Sequence, residues 1–141
     1  RYILANRERE LVWLPDELGF VEDCLHLLAL RFGDAIQVER ATLEDGVDRW
    51  LIPPISAQLL VENAVKHTMF SAREPLRLRL WREGDRLCVE NAVRSPEVAP
   101  SGAGIGLQYL AERCRRLCGR ELVIERGDRF KVTVPLVALR S

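Results

Sequence analysis

The stretch Gln58-Leu-Leu-Val-Glu62-Asn63-Ala-Val-Lys66-His67 constrains this chain more than any other. It follows the stiff start Ile52-Pro53-Pro54, and Leu60, Val61, Ala64 and Val65 cover most of its surface when it is read as a helix. A helix that is apolar over most of its girth is buried, so the chain must build a core around it. Glu62, Asn63, Lys66 and His67 fall at i, i+1, i+4 and i+5, a narrow sector of one side. The helix thus carries a carboxylate, an amide and two potential cations to the edge of a core, where such groups need partners. Two readings are open at this point. One is an ordinary solvated edge. The other is a site for a phosphate-plus-metal ligand. The oxygens of Glu62 and Asn63 suit Mg²⁺, which keeps several waters and takes few protein ligands, and Lys66 is a point charge for phosphate.

The rest of the chain supplies short elements around that helix. Leu11-Val-Trp-Leu14 is a short apolar run. Pro15-Asp16-Glu17 marks a helix start, and Leu18, Val21, Leu25, Leu28 and Phe32 form one face up to Gly33, which ends it. Ile36 to about Leu43 reads as a strand, and Trp50-Leu-Ile52 as a short extended segment. The central helix reaches about Met69. Leu76, Leu78 and Leu80 alternate with Arg77, Arg79 and Trp81, a half-buried strand that turns at Glu83-Gly84-Asp85 into a return strand from Arg86 to Asn91. A last helix carries Leu107, Leu110, Ala111, Cys114, Leu117 and Cys118 inward, with Arg113, Arg115, Arg116 and Arg120 mostly on its wet side. Glu121 to Arg126 and Phe130 to Leu136 form a closing hairpin. Hairpins dominate, so the expected fold is a two-layer α/β sandwich, a mixed and mostly antiparallel sheet with helices on one face.

Composition narrows the function classes. One domain is the default at 141 residues. Acidic and basic residues balance at 21 each, so bulk charge marks no nucleic-acid binder. Cys24, Cys88, Cys114 and Cys118 form no Cys-x-x-Cys pair, and neither Cys114 nor Cys118 has a nearby histidine, which points to buried free thiols in a reducing compartment rather than zinc. No apolar run approaches the roughly 20 residues that span a bilayer. The chain begins at Arg1 rather than Met, which leads us to expect a piece of something longer.

Ser101-Gly102-Ala103-Gly104-Ile105-Gly106-Leu107 is the second informative stretch. Glycines ahead of a helix let the backbone approach a ligand, and the helix N-terminus offers free N–H groups suited to phosphate. The spacing fits neither the dinucleotide fingerprint nor the P-loop. The segment before it, Ala92 to Ala103, holds Pro96 and Pro100 and no apolar period. It reads either as a functional lid or as a long connection.

Together these stretches resemble a known family. Pro53-Pro54-Ile-Ser-Ala-Gln58-Leu-Leu-Val-Glu62-Asn63-Ala-Val-Lys66-His67 resembles the N box of sensor histidine kinases of the LytS-like class. Gly102-Ala-Gly104-Ile-Gly106-Leu107, with Leu110-Ala-Glu112-Arg113 and Leu117-Cys-Gly119 after it, resembles their second glycine box and the helix that follows. Phe130 to Leu136 resembles their closing strand, and Leu14 to Gly33 the segment before their ATP-binding domain. The resemblance covers nearly the whole chain. It implies a Bergerat-type ATP-binding fold over 34–141, with 1–33 as the end of a helical dimerisation or linker region. It implies that Asn63 holds Mg²⁺ with Glu62 beside it in the metal and water shell, and that Lys66 and His67 face the phosphates. Gly102, Gly104 and Gly106, with Ile105 and Leu107, would form the lid hinge and the phosphate-side backbone.

The implied chemistry is transfer of the γ-phosphoryl group of ATP to a histidine, for which Glu62, Asn63 and Lys66 are the candidate residues. The implied setting is the cytoplasmic part of a dimeric inner-membrane receptor that signals to a response regulator. Two departures from the family pattern bear on this. The first glycine box, Asp-x-Gly-x-Gly, is missing, and Asn91 stands where its adenine-binding aspartate would be. An Asn oxygen accepts without charge, so the bond should be weaker. The only histidines are His26 and His67, and His26 lies in an apolar helix pattern, so the phosphoacceptor is expected upstream of Arg1. The missing box also motivates a second expectation, a degenerate domain that acts as a dimerisation or interaction module.

Overall fold

A computed structural model of the chain describes residues 10–40, 43, 46–92 and 103–139. Three α-helices and eight strands are present among them: β1 (Val12–Trp13), α1 (Leu14–Phe32), β2 (Ile36–Glu39), β3 (Trp50–Ile52), α2 (Ser56–His67), β4 (Leu76–Glu83), β5 (Arg86–Ala92), α3 (Ala103–Cys118), β6 (Val123–Glu125), β7 (Arg129–Pro135) and β8 (Val137–Ala138). The main sheet has five strands in the order β2-β4-β5-β7-β6. Its β2–β4 pair is parallel and the others are antiparallel. The mixed, mostly antiparallel sheet expected from the hairpins is therefore the observed one.

The register explains which face is buried. Leu80 lies opposite Val89 and Val89 opposite Val132; Leu87 lies opposite Val134. With Leu76 and Leu78 these residues form one apolar face, all at most 3% exposed. Onto it pack Leu14, Val21 and Leu25 of α1, Ala57, Leu60, Val61 and Ala64 of α2, and Leu107, Leu110 and Cys114 of α3, in one core. The three helices thus cover one side, as the period of their apolar residues predicts. The other face carries the alternate residues. There Glu90 sits between Arg79 and Arg129, at 3.4 and 3.0 Å, and the Trp81 ring lies between the Arg79 guanidinium and the Lys131 ammonium.

Some elements differ from expectation. The strand expected from Ile36 to about Leu43 ends at Glu39, while Leu43 is buried in the core. A second, three-stranded sheet, β1-β3-β8, was not expected as a sheet. Its strands of two or three residues are too short to show a period. It ties the entry of the chain (Val12 opposite Ile52) and its end (Leu51 opposite Val137) to the strand that leads into Pro53-Pro54. Leu11, Leu51 and Leu117 form a small satellite core beneath it. The four cysteines are free. Ala92 closes β5 and Ala103 opens α3, and the rest of the lid-like segment, residues 93–102 with Gly102 among them, lies outside the described residues.

Candidate functional site

The start of α2 explains how its polar cluster is positioned. Ile55, just before the helix, has φ 67°, the left-handed region that a β-branched residue enters only under constraint. Its side chain gives the helix no cap. Glu17 of α1 supplies one instead: its carboxylate accepts the backbone N–H groups of Ile55 at 3.0 Å, Ala57 at 3.1 Å and Gln58 at 3.2 Å. Glu17 is 2% exposed. A buried carboxylate is costly unless it is partnered, and the unpaired donors and positive end of a helix are such partners. On the other side Arg113 of α3 donates to the carbonyl of Pro54. The Ser56 hydroxyl donates to the Pro53 carbonyl at 2.7 Å. The double-proline turn, and with it the register of α2, is set by its two neighbouring helices.

Two turns further on, the cluster lies as the sequence predicts. Glu62 and Lys66 are exposed, and Asn63 and His67 are half-buried at the edge of the core. The Nδ2 atom of Asn63 is buried and has no hydrogen-bond partner among the described residues. Burial, and then the adjacent Lys66 charge, hold the His67 imidazole below its ordinary 6.5, so it is neutral at pH 7. Among the described residues no three His, Cys, Asp or Glu side chains come together as a ready metal cluster. Glu62 and Asn63 offer a carboxylate and an amide oxygen, a donor set that would suit a cation that keeps most of its water and takes few protein ligands, as Mg²⁺ does.

Asn91 lies at the end of β5, on the helix-covered face, with Leu78 and Phe130 opposite it on the flanking strands. It is 5% exposed. Its Nδ2 donates to Thr68 Oγ1 and to the Ala92 carbonyl, both at 3.1 Å. A carbonyl can only accept, so this bond fixes the orientation of the amide. Both amide protons are engaged, and the Oδ1 atom is left as an acceptor. Thr68, directly after His67, joins the cluster of α2 to the end of β5 through this contact.

The glycine segment divides. α3 begins at Ala103, so Gly104 and Gly106 belong to its first turn. Gly106 lies against α2: a Cβ there would stand 3.4 Å from Leu59 Cδ1. Ile105 is 62% exposed, whereas Leu107 is 3% exposed and packed in the core. Leu107 holds the first turn of α3 to the core. Glu17, Thr68 and Arg113 were not singled out as site residues in the sequence. Glu17 read as a first-turn acid and Arg113 as solvation, because their partners lie 38 and 59 positions away. The position of Thr68, immediately after His67, was the available signal for it.

Comparison with solved structures decides the fold. The catalytic domain of histidine kinase ThkA superposes with a TM-score of 0.57 over 89% of this chain and 94% of that one, at 18% identity. The full-length histidine kinase ShkA, solved in complex with AMPPNP, superposes with a TM-score of 0.56 over 100% of this chain and 33% of that one, at 16% identity. This is the histidine kinase catalytic-domain fold. Sequence relatives agree with it. The sensor histidine kinase YesM of Bacillus subtilis (strain 168) is 24% identical over 151 aligned positions, which take in 95% of this chain and 26% of YesM. The sensor protein LytS of Bacillus cereus is 36% identical over 73 positions, 52% of this chain and 12% of LytS. The chain thus spans about a quarter of YesM or less of LytS. It matches no protein-family model. The resemblance to LytS-like sensor histidine kinases stands on these relatives and this fold. In that fold α2 and α3 lie side by side, with the polar cluster on α2 and Asn91 at the adjoining strand end.

Proposed function

We propose that this chain is the ATP-binding catalytic domain of a sensor histidine kinase, which passes the γ-phosphoryl group of ATP to a histidine upstream of Arg1. The observation that carries the reading is the buried, unpartnered amide nitrogen of Asn63, on the helix that resembles the N box. A buried polar atom without a partner costs about 1–3 kcal/mol, and a ligand removes that cost. The complex of ShkA with AMPPNP supports a nucleotide as that ligand.

In this reading Asn63 and Glu62 hold Mg²⁺, Asn63 by its oxygen, while its Nδ2 donates to a phosphate oxygen or to a water of the metal shell. Bound there, the metal neutralises charge on the phosphates, which is most of what phosphoryl transfer requires. Lys66 approaches the phosphates as a point charge. His67, neutral at pH 7, takes part by hydrogen bonding rather than by charge. The Oδ1 atom of Asn91 accepts the amino group of adenine. Gly102, Gly104 and Gly106 let the backbone approach the phosphates, with Ile105 at the rim.

Residues 1–33 lead from an upstream dimerisation region into the domain of 34–141, with α1 packed on the core. The parent protein is a homodimer that phosphorylates a response regulator, and this domain lies on the cytoplasmic side of an inner-membrane receptor. Among the described residues no helix is long and apolar enough to cross a membrane.

The test uses radiolabelled ATP. A longer protein that includes the upstream histidine region should gain acid-labile phosphate, and its Asn63→Ala variant should lose at least about 100-fold of that rate, in the range of an electrostatic catalytic element. The chain of 141 residues alone should gain none. Acid-labile label on this chain by itself, or full labelling of the longer Asn63→Ala protein, contradicts the reading.

A further inference from the structure

We infer that Thr68 is a base-reading residue, which with Asn91 makes the site select a 6-amino purine over a 6-oxo purine. The inference rests on the nucleotide-site reading above and adds a residue to which that reading gives no role. Its starting point is the hydrogen-bond chain Thr68–Asn91–Ala92. The Ala92 carbonyl accepts from Asn91 Nδ2 at 3.1 Å and cannot donate. The amide is therefore held with Nδ2 towards the Ala92 carbonyl. The second Nδ2 proton goes to Thr68 Oγ1, also at 3.1 Å.

The polarity of Thr68 follows. Its hydroxyl receives a proton from Asn91 through one lone pair and keeps its own O–H to give away. Asn91 Oδ1 is left to accept, and Thr68 O–H is left to donate. An acceptor beside a donor complements the edge of adenine, where an amino donor stands beside the N1 acceptor. It opposes the edge of a 6-oxo purine, where a carbonyl acceptor stands beside an N1–H donor. Were the amide turned over, Asn91 would offer a donor and Thr68 would give its proton to Oδ1, a pattern that reads the 6-oxo base. That state sets the Asn91 oxygen against the Ala92 oxygen in a site where Asn91 is 5% exposed, and a buried acceptor without a donor is costly. The backbone carbonyl thus fixes the orientation of both side chains.

A carboxylate at position 91 would accept whatever its orientation. An amide can read either base, and it needs this lock to read one. Thr68 ends α2 in an extended conformation, φ −116° and ψ 131°, so its side chain leaves the helix at the strand end where Asn91 stands.

The experiment compares ATP with inosine triphosphate, which differs at the 6-position and N1 alone. Both are titrated calorimetrically with Mg²⁺ into the chain and into Thr68→Val, Thr68→Ser and Thr68→Ala variants, each checked by thermal melting. The chain should prefer ATP by about tenfold or more, the scale of a two-point hydrogen-bond readout. Thr68→Ser should keep that ratio, and Thr68→Val and Thr68→Ala should lower it by about fivefold, the worth of one hydrogen bond. If Thr68→Val does not fold, Thr68→Ala carries the comparison. An ATP preference that survives in both variants overturns the role of Thr68 and leaves the nucleotide site standing. Equal binding of the two nucleotides by the unaltered chain overturns the lock. Binding of neither overturns the nucleotide site and this inference with it.

Discussion

Asn63 and Asn91 are the same residue type with opposite hydrogen-bond states. Asn91 has both amide protons engaged, whereas the Nδ2 of Asn63 is buried with no partner among the described residues. The first arrangement stabilises the fold, and the second stores a cost that a ligand relieves. Asn63→Leu, with the same branched outline and without the orphan donor, should therefore leave the unfolding free energy unchanged or raise it by about 1 kcal/mol, as urea titration would show. It should also abolish nucleotide binding. A clear loss of stability would mean that Asn63 serves the fold instead. His67 gives a pH prediction. Its folded pKa is depressed by burial first and by Lys66 second. The stability tied to its neutral form is thus present above the ordinary 6.5 and is lost as pH falls below it. In an NMR titration Lys66→Met should move the His67 midpoint part of the way back up, and no movement would remove Lys66 as a cause. The residues of this cluster on α2 were legible in the sequence, because one helical turn sets them side by side. The state of each amide was not, because it depends on Thr68 and on a backbone carbonyl that the fold brings up.

At the scale of elements, the start of α2 depends on a carboxylate in another helix. Glu17→Ala removes three acceptor contacts from backbone donors, that of Ala57 buried and those of Ile55 and Gln58 part-buried. It should cost about 2–4 kcal/mol, more than an ordinary cap, because one buried carboxylate serves three backbone donors at once. Chemical denaturation measures this, and a cost under about 1 kcal/mol would show that the turn holds without Glu17. α1 itself was readable from its proline, its acids and its period, yet that reading makes Glu17 a mere first-turn acid. A contact spanning 38 positions leaves no local pattern. α3 carries a different signature. Burial raises the Cys114 thiol to about 12 and the Cys118 thiol to about 11, against an ordinary 9.0. Both thiols stay protonated in the folded chain well above pH 9, where unfolded thiols ionise. Stability from this source is complete below pH 9 and declines as pH rises towards 11 and 12. Cys114→Ala should flatten that decline in melts between these pH values. Both thiols should also resist alkylation at pH 8 until the chain unfolds.

For the whole molecule, the hairpins and the single helical layer were legible because alternation and turn residues are local. The three-stranded sheet of β1, β3 and β8 was not, because it joins pieces of two or three residues from the two ends and the middle of the chain. That small sheet anchors the strand entering Pro53-Pro54. Leu51, 4% exposed in the satellite core, should therefore matter well beyond its strand: Leu51→Ala should cost about 2–5 kcal/mol. Arg116→Ala, which loses only an exposed ion pair with Glu10, should cost less than about 1 kcal/mol. Equal costs would show that the small sheet is incidental. The account stands or falls on α2 as one wall of a nucleotide site. The most direct measurement is calorimetric titration of the chain with ATP and ADP, with and without Mg²⁺, beside the Asn63→Ala variant. Magnesium-dependent heat that disappears in Asn63→Ala is the predicted result. No heat and no thermal stabilisation at millimolar nucleotide would contradict it, and would mean that this domain works by contact alone.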